Sequence, residues 1–191
     1  MEAAAAPLPY DSKIEYLEGD GLGYINTGIQ TGGDIIVKMS LYKTSLNVGK
    51  WCFGGCSSIG SNMFGVYHRN TSFDIRFGYR NSYYIGPLYA DLPDVVDIEV
   101  GNGIFKVAGT SVSYTLATFT GTYGIIIFGL NASTKYLSSV KIKSFYIKKG
   151  SLEMDMIPVR VGTVGYMYDR VSGQLFGNDG AGDFVLGPDI V

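Results

Sequence analysis

Apolar and polar residues alternate with period two along most of this chain, the pattern of strands with one face buried. Ile35, Val37, Met39 and Leu41 alternate with Asp34, Ile36, Lys38 and Ser40. From Phe73 to Arg80 every odd position is apolar and every even one is polar or Gly. Val96, Ile98 and Val100 alternate with Asp97 and Glu99. Val140 and Ile142 alternate with Lys141 and Lys143, and the phase then flips to Phe145 and Ile147, which predicts a β-bulge near Ser144. The apolar run over 124–130 reads as a strand buried on both faces. Turn signals separate the runs: Asp20-Gly21, Gly32-Gly33, Gly54-Gly55, Gly101-Asn102-Gly103, Gly121 and Gly150-Ser151. The stretch 164–176 predicts a hairpin in which Asp169 opens a type I turn and Gly173 takes the left-handed position. No segment carries a sustained 3.6-residue period; the nearest is a short helical turn near 132–137. About a dozen strands are expected, the makings of an all-β antiparallel β-sandwich.

Composition narrows the picture. The 191 residues include 27 Gly, 15 Tyr and 10 Phe but 2 Cys and 1 His. The length suits one sandwich domain over 12–191 behind a flexible leader, 1–11, whose Ala run ends in Pro7-Leu8-Pro9. A net charge of −2 lacks the basic excess that a nucleic-acid-binding surface needs. Nothing resembles a secretory signal, and no run reaches the ~18 apolar residues that a spanning helix needs. Membrane insertion is therefore not expected. On one strand Cys52 and Cys56 would stand roughly 13 Å apart, too far for a disulfide. A turn at Gly54-Gly55 would bring them together; otherwise they are small buried hydrophobes.

Several stretches together carry a resemblance. Ile14-Glu15-Tyr16-Leu17-Glu18 precedes Gly23-Tyr24-Ile25-Asn26-Thr27-Gly28-Ile29. Residues 140–147 and Met156-Ile157-Pro158-Val159-Arg160 follow, then 165–178, including Tyr166-Met167-Tyr168-Asp169-Arg170-Val171-Ser172-Gly173. From about Ser12 to Leu186 this order resembles the LamG-like, concanavalin A-like jelly-roll modules of gut bacterial surface proteins and of phages of gut bacteria. The resemblance implies a sandwich of two curved sheets but not one function, because that fold hosts lectins, glycosidases, adhesion modules and virion proteins. It places the chain on a virion or a cell surface. It suggests other virion or surface proteins, or further copies of the chain, as partners. It also implies a rim site for structural Ca²⁺, with Asp169, Asp179 and Asp183 as the acidic candidates and no other cofactor.

Enzymatic chemistry finds little footing. Laminarinase-type relatives carry Glu-x-Asp-x-x-Glu on one strand. Glu153-Met154-Asp155 begins that pattern, and Pro158 breaks it. Asp97 and Glu99 share a face while Asp94 points away, so the offsets are wrong there too. His68 is the only His and reads as a surface residue at a strand end, leaving no triad. A non-catalytic binding or display role is expected, with glycan attachment its molecular activity and a purely structural role in a virion, as head or tail decoration, the alternative. Sugars are held by aromatic faces flanked by polar groups. That mixture is densest around Tyr79, Arg80, Tyr83 and Tyr84, with Trp51 as a further anchor. Because Tyr83 and Tyr84 are adjacent, only one of them can face the core.

Overall fold

The structure, a computed structural model, describes residues 7–46, 49–69 and 74–190. Phe73, the first position of one alternating run, and residues 1–6 of the expected leader lie outside them. In chain order the strands are β1 (Ser12–Lys13), β2 (Leu17–Glu18), β3 (Ile25–Gly32), β4 (Ile35–Tyr42), β5 (Trp51–Gly55), β6 (Met63–His68), β7 (Asp74–Arg80), β8 (Ser82–Leu88), β9 (Val95–Gly101) and β10 (Ile104–Val107). There follow β11 (Thr110–Ser113), β12 (Thr120–Ile127), β13 (Gly129–Leu130), β14 (Tyr136–Leu137), β15 (Lys141–Lys149), β16 (Leu152–Val161), β17 (Val164–Asp169), β18 (Leu175–Phe176) and β19 (Val185–Leu186). Thirteen of the nineteen among the described residues run four residues or more, matching the dozen expected. The other six are two-residue pairings, too short for alternation to register. No helix among the described residues is long and apolar enough to cross a membrane.

The fold is an antiparallel β-sandwich. One sheet has the order β3-β12-β5-β6-β7-β8, and the other runs β11-β10-β9-β4-β15-β16-β17-β18. Their inner faces meet in a core rich in rings: Phe53 on Phe145 with centroids at 5.4 Å, and Phe77 on Phe105 at 5.6 Å. The expected bulge is present. Ile142 faces Leu41, but Ser144 faces Ser40, so one extra residue is absorbed between them and both Ile142 and Phe145 point inward.

Within the span expected as a leader, Tyr10 and Asp11 are packed on the sheet. Tyr10 packs edge-on against Tyr168 at 5.0 Å, and the Asp11 N–H donates to the Arg160 carbonyl at 2.9 Å. From there the N-terminal segment fills the fork where β15 and β16 diverge. β1 pairs with β16, and β2 pairs with β15 on one side and β19 on the other. The Arg160 guanidinium holds the Asp189 carboxylate through two bonds of 2.7 and 2.6 Å.

Three local expectations are corrected. The helical turn near 132–137 is absent, and Tyr136–Leu137 pairs with Gly129–Leu130 instead. His68 is not a surface residue: it is 1% exposed, its Nδ1 lies 3.1 Å from the Leu46 carbonyl, and its ring stacks on Tyr89. Val66 and His68 share the inward phase of β6, which sets the side the imidazole takes. Gly54-Gly55 is not a turn either; it lies within β5, and Cys52 and Cys56 are both buried and unbridged. Burial pushes the Cys52 thiol up to about 12 and that of Cys56 up to about 11.

The glycines of β5 have a packing role. Gly54 faces Gly65, and Gly65 faces Gly78, so three adjacent strands carry a row without side chains on their outer face. The Trp51 indole lies across it. A Cβ at Gly65 would meet the Phe53 carbonyl oxygen at 2.6 Å, Gly54 Cα at 2.8 Å and Trp51 Cζ3 at 3.1 Å; one at Gly78 would meet side-chain atoms alone, Trp51 Cη2 and Met63 Cε at 3.4 Å and Met63 Cβ at 3.5 Å. Trp51 thereby joins Cys56, Met63, Leu130 and Ala132 in a second apolar cluster on the outside of the six-stranded sheet. Gly65→Ala is expected to destabilise the protein by about 1–3 kcal/mol through overpacking, and Gly78→Ala to cost less than about 1 kcal/mol. Urea denaturation of the two variants checks the ordering, and equal tolerance would contradict the close approach of β5 and the indole to Gly65.

Candidate functional site

The structure separates the residues expected to form an aromatic platform. Tyr79 is 2% exposed, and its hydroxyl lies 3.0 Å from the Ala117 carbonyl while accepting the Ala117 N–H at 2.9 Å. Tyr84 turns inward onto Phe77 and Tyr114. Trp51, 6% exposed, is stacked beneath Tyr67 with centroids at 4.6 Å. These three rings therefore fill the interior or the second cluster and offer no face for a sugar to stack on. Tyr83 points outward, as adjacency with Tyr84 requires, and touches Tyr67 edge-on. Arg80 is exposed at the end of β7 with φ +55°.

Polar groups converge instead on the outer face of the larger sheet. In an antiparallel ladder, directly paired residues share a face. Lys106 pairs with Glu99, Glu99 with Lys38, Lys38 with Tyr146, and Tyr146 with Asp155, so one transverse row crosses β10, β9, β4, β15 and β16. Arg170 closes it, with Nη2 2.6 Å from the Asp155 carboxylate. Lys38 Nζ lies 3.3 Å from Glu99. In the neighbouring row Glu153 accepts from the Tyr146 hydroxyl at 3.0 Å and from Lys148 Nζ at 3.2 Å. These bonds, the tyrosine's first, hold the Glu153 carboxyl below its ordinary value. A groove of about 620 Å³ follows the row, bordered by Pro93, Val95, Ala108 and Gly109, with Tyr146 its one aromatic side chain. The two acidic stretches considered for catalysis, Asp97-Ile98-Glu99 and Glu153-Met154-Asp155, thus share this face, with β4 and β15 between them. Lys38, Tyr146 and Arg170 were not singled out from the sequence, although the alternation in β4 and the phase flip at Ser144 already point the first two outward.

The calcium candidates do not come together, and no group of three or more His, Cys, Asp or Glu suited to a metal ion occurs among the described residues. Asp179 Oδ2 accepts the Asn26 N–H at the start of β3, and the Asp183 N–H donates to Asp20 in the loop before it. Asp169 is 1% exposed, and donors occupy its carboxylate. Oδ1 accepts the N–H groups of Asp155 and Val171, and Oδ2 accepts both the N–H and the hydroxyl of Ser172. The Gly173 N–H bonds the Asp169 carbonyl at 2.8 Å, with Gly173 at φ +75°, so the predicted hairpin is present with this carboxylate as its hub.

Burial alone would raise the Asp169 pKa, but the Ser172 hydroxyl and the backbone donors lower it below the ordinary value. A carboxyl with a depressed folded-state pKa contributes stability that is complete above the unfolded value, near 3.9, and is lost as pH falls through the folded one. Asp169→Asn is therefore expected to cost about 2–4 kcal/mol at neutral pH. The gap between wild type and variant should narrow below about pH 4. Denaturant titrations at several pH values read this directly, and a gap independent of pH would exclude an ionised hub.

Comparison with protein-family models and with curated proteins finds no match to this chain.

Proposed function

We propose that this chain is a non-catalytic glycan-binding and display module on a LamG-like, concanavalin A-like jelly-roll framework, carried on a phage particle or a bacterial surface. The groove over the larger sheet supports that reading best: an open trough across five strands, lined by donors and acceptors, with Tyr146 between Lys38 and Asp155. Sugar hydroxyls donate and accept at once, and a polar lining of both kinds suits them. The surroundings of its carboxylates favour binding over hydrolysis. A glycosidase needs one carboxyl kept protonated near neutrality by burial. Here Asp97 is exposed, and Glu99 and Asp155 have partly exposed side chains paired with Lys38 and Arg170.

A glycan array probed with the intact chain tests this reading. Binding is expected, with Tyr146→Ala weakening it at least about tenfold and Tyr83→Ser, on the opposite sheet, leaving it unchanged. Absence of any bound glycan, or an equal loss in the Tyr83 variant, would reject the groove as the site. Reducing-sugar release from β-glucans is expected to stay at background.

A further inference from the structure

We infer that the groove selects neutral, hydroxyl-rich glycans and excludes acidic ones, an inference that rests on the glycan reading above. The observation is charge balance at short range. Lys38 is matched by Glu99, Lys148 by Glu153, and Arg170 by Asp155, at 3.3, 3.2 and 2.6 Å. Lys148 and Glu153 flank the groove; its own lining adds Asp97 and Lys106, which leave it with three charges of each sign, and Lys106 stands opposite Glu99 in the register of β9 and β10. A carboxylate or sulfate entering the trough would meet a carboxylate paired to Lys38 and to Arg170, and Glu99 on the strand beside Lys106. It would gain little attraction and would have to displace an existing pair.

A hydroxyl group meets the opposite situation. Each ion pair presents a donor and an acceptor a few ångströms apart, and one hydroxyl can use either or bridge both. Neighbouring strands repeat this arrangement along the row. From Lys106 on β10 to Asp155 on β16 there are four strand spacings, about 19 Å, the reach of a short oligosaccharide lying across the strands. Tyr146, between the Lys38–Glu99 and Asp155–Arg170 pairs, supplies the ring on which a sugar face can rest. The same balance predicts how salt acts. A ligand without net charge gains nothing from long-range attraction, so screening leaves its affinity nearly constant, whereas polyanion binding falls steeply.

The test is equilibrium binding of the intact chain to neutral polysaccharides (β-glucan, xylan, mannan) and acidic ones (polygalacturonate, alginate, hyaluronan) at about 50 and about 500 mM NaCl. Binding to a neutral member, changing less than about twofold between the two salts, is expected, with no binding to the acidic set. Preference for an acidic glycan with a loss of more than about tenfold at high salt would overturn the inference and leave the glycan reading standing. Binding to neither class would remove that reading and the inference with it. A second arm uses the Asp97→Asn, Glu99→Gln double variant, which leaves the groove with two uncompensated positive charges. Acidic-glycan affinity is expected to appear at low salt, at least about tenfold above wild type, and to vanish at high salt. If the variant keeps the wild-type circular dichroism spectrum yet gains no such binding, charge balance does not set the ligand class, and the inference fails.

Discussion

The Trp51 indole lying across Gly65 and Gly78 decides which side of this molecule is left to work. A strand has two faces, and a sandwich spends one face of each sheet on the core. The outer face of the six-stranded sheet is covered over β5, β6 and β7 by a second apolar cluster, possible because the glycine row leaves room for a flat ring. Ser138 and Leu130 help fix it from above: the Ser138 hydroxyl donates to the Trp51 carbonyl at 2.5 Å, and Leu130 comes from the short β13–β14 hairpin. To enter that hairpin the chain must turn sharply after β12, and Phe128 does so at φ +69°. A ring-bearing residue there costs about 1–2 kcal/mol, offset by full burial of Phe128 against Phe184. With the centre of that exterior so occupied, the larger sheet carries the row of paired charges, and the groove lies there.

The same packing explains where the sequence is readable. In β4, β9 and β15 one face is wet, so alternation survives, and both the phase and the bulge at Ser144 can be read from residue types. In β5 every residue is buried, and in β6 all but Tyr67 are. With both faces covered there is no polar side to reveal the phase, so His68 reads as a surface residue and Gly54-Gly55 as a turn. The aromatic cluster misled for a related reason. Local density of tyrosine does not distinguish Tyr79 and Tyr84, which face in, from Tyr83, which faces out. The groove was hidden differently: its row draws on strands far apart in sequence, and only their register makes neighbours of Lys38, Tyr146 and Asp155.

Fold and groove meet at Asp169. Its carboxylate accepts the N–H of Asp155, while the Arg170 N–H donates to the Asp155 carbonyl, so the residue that shapes the β17–β18 hairpin also sets the backbone of the last carboxylate in the row. Arg170 follows Asp169 directly, and its guanidinium reaches back to the Asp155 side chain. One end of the groove is thus built from a satisfied, buried polar network, and its middle from long paired strands. A site on such elements loses little freedom when it binds, so even modest contacts with hydroxyl groups contribute most of their strength to affinity. For a row of weak, charge-balanced contacts, that rigidity matters more than the strength of any single one.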